Sequence, residues 1–104
     1  MIEKPVSGRY AAISQRLRAI RAYYDLPSKE FAALADVPPK SYSQWESGDF
    51  RISIEGATKL GARFGTTLDF IYLGRIDTLP TNLAKAVASS PLLKATSKSS
   101  ETPD

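Results

Sequence analysis

The side chains able to do chemistry here are Lys, Arg, Asp and Glu, with hydroxyls and amides, because the chain has no cysteine and no histidine. Without cysteine there is no thiol nucleophile, disulfide or thiolate-held zinc. Without histidine the commonest general base and the commonest transition-metal ligand are missing. The carboxylates are scattered, and no glycine-rich phosphate loop or paired-carboxylate motif stands out, so neither an enzyme nor a metal or cofactor site is expected. What remains is recognition by charge and hydrogen bond. The net charge of +3 permits nucleic-acid binding without demanding it. Its distribution is uneven: over residues 1–24, Lys4, Arg9, Arg16, Arg18 and Arg21 face Glu3 alone. Over residues 25–51, Lys29, Lys40 and Arg51 stand against Asp25, Glu30, Asp36, Glu46 and Asp49, a local charge of −2.

The elements that must carry these groups are helical. Ile13, Leu17, Ile20 and Tyr24 step by four, three and four, which predicts a first helix over 11–24 with one apolar face. Asp25-Leu26-Pro27 breaks it. A second helix is expected over 28–35, with Phe31, Leu34 and Ala35 at helical spacing. Asp36-Val37-Pro38 forms a tight turn, in which Asp36 can take the left-handed conformation. Pro39 is acceptable in the first turn of a third helix over 39–47, where its missing N–H has no intrahelical partner. Gly48 ends that helix. Tyr42, as a partly buried anchor, and Trp45, as core, form its inward side. Ser53 caps a fourth helix whose expected buried stripe is Ile54, Ala57, Leu60, Gly61 and Phe64. Gly65 ends it. Thr67 caps a fifth helix, with Leu68, Ile71 and Tyr72 inward, and Gly74 ends that. A short sixth helix fits residues 81–88, with Leu83 and Val87 four apart.

The expected organisation is therefore all-α in one domain. Residues 1–10 form a flexible arm, 11–75 a helix-turn-helix domain, 76–95 a segment with a short helix, and 96–104 a polar tail read as disordered. No apolar run approaches a membrane span, and the first residues lack the apolar core of a signal peptide. A cytoplasmic protein is the default expectation.

Four segments carry a family resemblance. Ser41-Tyr42-Ser43-Gln44-Trp45-Glu46-Ser47-Gly48 is similar to the pattern T-I-S-x-W-E-x-G of the phage repressor and Cro, or XRE, family of helix-turn-helix regulators. The segment Arg16-Leu17-Arg18-Ala19-Ile20-Arg21 resembles that family's first helix, and Lys29-Glu30-Phe31-Ala32 its second. Leu68-Asp69-Phe70-Ile71-Tyr72-Leu73-Gly74 resembles its fifth. The resemblance covers residues 13–74 and implies a five-helix, lambda-repressor-like domain. It also implies that residues 39–47 enter the major groove of double-stranded DNA.

The resemblance places Pro39, Lys40 and Gln44 at base-facing positions. Lys40 can donate to guanine O6 and N7, and Gln44 can pair with adenine N6 and N7. Ser41 and Ser43 are short enough for phosphate or base edges. Ser28 and Lys29, at the start of the second helix, and Arg51, past Gly48, would meet phosphates. Arg21 and Glu46 match a structural ion pair. A homodimer on a palindromic operator, repressing transcription, is the implied mode of action. The dimer contact this implies is the surface of the fifth helix and the segment 72–87, which makes residues 76–95 a dimerisation segment with Ile71, Leu73, Leu79, Leu83 and Val87 as the apolar residues, unless the last three fold back onto their own monomer.

Three features depart from the pattern. Pro27 and Pro38 replace hydroxyl N-caps, each worth about 1 kcal/mol. Pro39 removes a base-facing donor, and Asp49 stands where basic residues are common. A different function on the same fold, a module binding a protein partner as an antiactivator or antitoxin does, fits those departures.

Overall fold

The computed structural model describes residues 8–93, and among them every regular element is helical. The order is α1 (Ala11–Tyr24), α2 (Ser28–Leu34), α3 (Pro39–Ser47), α4 (Ile54–Phe64), α5 (Leu68–Leu73), a 3-10 turn (Ile76–Thr78) and α6 (Thr81–Ala88). The second helix closes one residue earlier than expected, with Ala35 as its C-cap. None of the described helices is long and apolar enough to cross a membrane. The arm preceding Gly8, with Lys4, and the tail over 96–104 lie outside the described residues.

One core joins α1 to α6. Ile13, Leu17 and Ile20 of α1 are buried, as their spacing predicts. Phe31 of α2 stacks on Phe64 of α4 at 4.1 Å between ring centroids and tilts against Tyr42 of α3 at 5.3 Å. Offset and tilted ring pairs add to burial alone. Tyr24 closes the group, touching the Phe64 ring and donating its hydroxyl to the Phe64 carbonyl. Burial raises the pKa of Tyr24.

The helix ends follow local chemistry. Ser53 Oγ accepts from Gly56 N–H at 3.0 Å, and Thr67 Oγ1 accepts from Phe70 N–H at 3.0 Å, so α4 and α5 carry the expected side-chain caps. Helices α2 and α3 start at Pro27 and Pro38 with no side-chain cap.

Several inward assignments rotate. Ile54 is 61% exposed, and Gly56 takes a buried place in the first turn of α4 instead. Leu68 is exposed and Phe70 buried, because a six-residue helix is too short for apolar spacing to fix its phase. Leu34 is exposed at the end of α2. Tyr42 is wholly buried rather than a partly buried anchor, while Trp45 is only half-buried at the edge of the core. Leu79, Leu83 and Val87 are buried in their own monomer, with α6 lying against α1 and the 3-10 turn. The apolar tail residues thus complete the core and are not free to pair with a second copy; neither is Ile71, which is fully buried.

Candidate nucleic-acid interface

Helices α2 and α3 meet through the four residues 35–38. Asp36 adopts the left-handed conformation, φ 62°, as its short polar side chain allows. Val37 turns inward, and its N–H bonds the Ala32 carbonyl at 3.0 Å. From α4, Lys59 Nζ donates to the Asp36 carbonyl at 3.0 Å, tying the turn to the scaffold. This pins the start of α3, whose first internal bond runs from Tyr42 N–H to the Pro38 carbonyl at 3.1 Å. Pro39 occupies the first turn, where a missing N–H is tolerated.

The outer face of α3 carries Lys40, Ser43, Gln44 and Ser47, all exposed and spaced as one stripe of a helix. Pro39 is exposed beside Lys40, and Ser41 is half-buried toward α4. Among the described residues the Lys29, Lys40 and Gln44 side chains make no hydrogen bond or ion pair. Ser47 differs: its hydroxyl donates to the Gln44 carbonyl at 2.6 Å and accepts from Asp49 N–H at 3.2 Å, so it is occupied in closing the helix. Ser28, half-buried, and Lys29, exposed, open α2. Arg51 is exposed three residues past Gly48, close enough to Tyr72 for its charge to pull that hydroxyl's pKa down, although burial wins and raises it.

The inner face of α3 is fixed by Glu46. Its carboxylate accepts from Arg21 Nε at 2.7 Å and from Arg21 Nη2 at 2.9 Å, a two-pronged pair, and also from the Tyr42 hydroxyl. Side-chain exposure is 25% for Arg21 and 7% for Glu46. Arg21 Nη1 also reaches the Leu26 carbonyl at 3.0 Å, so one guanidinium ties α1, the loop to α2 and α3. The hydrogen bond to Glu46 raises the Arg21 pKa against the opposing effect of burial. Burial, with the Glu46 charge beside it, pushes the Tyr42 hydroxyl well above its ordinary range.

The backbone carbonyl of Glu46 is held as well, by the Ser14 hydroxyl and by Arg18 Nε and Nη2 at 3.3 and 3.1 Å. Sequence reasoning missed Ser14 and Arg18. Their signal was present, since residues 14, 18 and 21 share one side of a helix. Just beyond, Gly48 sits at φ 87° and ends α3, as expected, and its carbonyl accepts from Tyr10 N–H at 3.0 Å.

The helix is thus locked from behind at its C-terminal half. It presents unbonded donors and acceptors from its N-terminal half and centre. A helix-turn-helix family model matches residues 17–71. The chain belongs to this family, of the phage repressor and Cro type. No curated protein and no solved structure matches it significantly. The family is one of DNA-binding regulators, and the matched stretch holds the whole α2-turn-α3 unit and every residue expected to touch DNA. The 3-10 turn and α6, which bury Leu79, Leu83 and Val87, fall outside it.

Proposed function

We propose that this chain is a sequence-specific transcriptional repressor of bacterial, phage or mobile-element origin that binds double-stranded DNA as a homodimer on a palindromic operator. The observation that carries this is the free stripe on α3, with Lys40 and Gln44 unbonded on a helix whose opposite side is clamped. A side chain held on a fixed backbone but lacking a partner can meet a base edge with little reorganisation. Lys40 reads guanine and Gln44 reads adenine, while Pro39 gives apolar contact only. Ser41 and Ser43 serve base or phosphate edges. Ser28, Lys29 and Arg51 bind phosphates on either side of the groove.

Few cations flank the stripe, so each subunit binds weakly and two subunits on linked half-sites supply the affinity. The dimer face is the apolar surface at the starts of α4 and α5 and the end of α5. Ile54 and Leu73 are 61% and 66% exposed there, with Leu68 also exposed. Tyr72 is four residues from Leu68, and its hydroxyl donates to the Ile52 carbonyl at 2.6 Å, which brings the Ile52–Ile54 stretch of chain beside α5. A Leu68→Glu, Ile54→Glu variant is expected to sediment as a monomer.

One observation favours a second reading, a module that binds a protein partner as an antiactivator or antitoxin: the charge of −2 over residues 25–51. A salt titration against random duplex separates the two. The DNA reading expects binding at about 50 mM salt that weakens steeply as salt rises. Absence of binding there would leave the protein-partner reading standing.

A further inference from the structure

We infer that Gly56 is a positioning residue for DNA recognition: its bare Cα is the seat of Trp45, and the depth of that seat sets which face α3 turns outward. The inference rests on α3 being the DNA-reading helix. Gly56 is buried in the first turn of α4, a place where glycine is unfavourable for the helix itself. A Cβ built on it would lie 2.8 Å from Trp45 Cζ3 and closer still to Cη2. The obstacle is the far edge of the indole, a rigid ring that can give way only by moving as a whole. Within α4 the added Cβ would also stand 3.2 Å from Ser53 Oγ, the group that caps the Gly56 N–H.

The consequence falls on α3. Its other holds come mainly from α1 and α2: Glu46 to α1, Tyr42 to Phe31 of α2, and Gly48 to Tyr10, while Lys59 of α4 reaches only the turn before it. These fix its position, and a stop on the α4 side limits the rotation that remains. Trp45 supplies that stop. It follows Gln44 directly and lies one turn after Ser41. Beside the ring runs a cleft of about 290 Å³ lined by Ser41, Trp45, Ser53 and Gly56 among others. A displaced indole therefore has somewhere to go without unfolding the core, and moving it turns Gln44 relative to the groove.

The test uses the full chain, with Gly56→Ala, Trp45→Leu and the double variant, each measured on a duplex selected from random sequence and on random duplex. Trp45 is the sole tryptophan, so its emission reports the seat directly. Gly56→Ala should shift that emission to the red and weaken the selected duplex roughly tenfold, the scale of one lost base contact. Random-duplex affinity and salt slope, which report phosphate contacts, should stay within about twofold of wild type. The double variant should discriminate better than either single variant, because the methyl added on α4 fills part of the seat that a leucine leaves empty. Equal losses on both duplexes, an unshifted emission, or no recovery in the double variant would overturn the inference.

If Gly56→Ala does not fold, Trp45→Leu decides alone. Removing the stop should cost discrimination, and wild-type discrimination in that variant would refute the role. Failure of the DNA reading itself would show separately, as wild-type protein that binds no duplex at low salt. The Gln44 amide resonance in Gly56→Ala would then still report whether the seat orients α3, and an unmoved resonance would overturn the inference.

Discussion

The two ends of α3 are built on opposite principles. Its C-terminal half is saturated: the Glu46 carboxylate has Arg21 and Tyr42, the Glu46 carbonyl has Ser14 and Arg18, and Gly48 has Tyr10. Its N-terminal half starts at Pro38 in place of a capping hydroxyl, with Pro39 in the first turn and a Lys40 side chain with no partner. Stability is concentrated where nothing can be read, and reading capacity where little stability is at stake. Free donors facing water cost almost nothing, whereas the same donors buried would each cost a lost hydrogen bond. One helix can therefore be both a fixed part of the core and an open surface, provided the two roles occupy different turns.

The largest break in that contrast is Glu46→Ala. It leaves a largely buried guanidinium without its carboxylate and strips the Tyr42 hydroxyl of its acceptor. Removing one partner of a buried pair is expected to cost about 3 kcal/mol, visible as a lowered urea midpoint. A loss below about 0.5 kcal/mol, the level of an ordinary surface substitution, would mean that α3 is not anchored through this pair.

Tyr42→Phe removes only the hydroxyl. A hydrogen bond to a charged group contributes roughly 1.5 kcal/mol, so the variant should be destabilised by about half as much as Glu46→Ala. The same contact has a pH signature. The folded state keeps the Tyr42 hydroxyl protonated above its ordinary value of 10.0. Its contribution is complete below the unfolded value and is lost as pH rises through the folded one. The stability gap between wild type and Tyr42→Phe should therefore narrow above pH 10.0, and a gap that widens there contradicts the assignment.

At the open end the expected effects change kind. Lys40→Ala and Gln44→Ala should leave stability within about 0.5 kcal/mol of wild type. Each should cost about 1–3 kcal/mol in discrimination at its own base pair. Lys29→Ala and Arg51→Ala should instead weaken all duplexes alike and lower the salt slope by about one each. A specificity loss from the phosphate pair, or a uniform loss from the base pair, would reverse the roles given to the two sets.

How much of this the sequence revealed follows the same division. The Arg21–Glu46 pair, the caps at Ser53 and Thr67, the left-handed Asp36 and the span of α6 were all legible, because each depends on a few residues close in sequence or on one motif. Ile54 and Leu68 were misplaced because apolar character in a first turn does not fix which way the turn faces. Leu83 and Val87 could serve a partner or their own core equally well by spacing, and only the packing of α6 on α1 decided. The Gly56 seat was invisible, since a glycine inside a helix gives no sign of what lies over it. Lys40 and Gln44 are placed by the motif, and their exposure adds that they are free.

The smallest expected effect sharpens the comparison most, because it asks whether the open end is open by necessity. Pro38→Ser restores a hydroxyl at the N-cap of α3, where the backbone is already extended at φ −59°, ψ 128°. The new cap contributes about 1 kcal/mol. Losing proline frees the unfolded chain and withdraws roughly 0.4–1 kcal/mol. The two nearly cancel, so thermal and urea midpoints should barely move. Binding should not cancel, because a hydroxyl at this edge offers DNA a donor that proline lacks. A several-fold gain in affinity at unchanged stability would show that proline restrains DNA binding without supporting the fold. A clear loss of stability instead would show that the rigid Pro38-Pro39 start belongs to the anchor, and the division of α3 into a locked half and an open half would have to move toward its N-terminus.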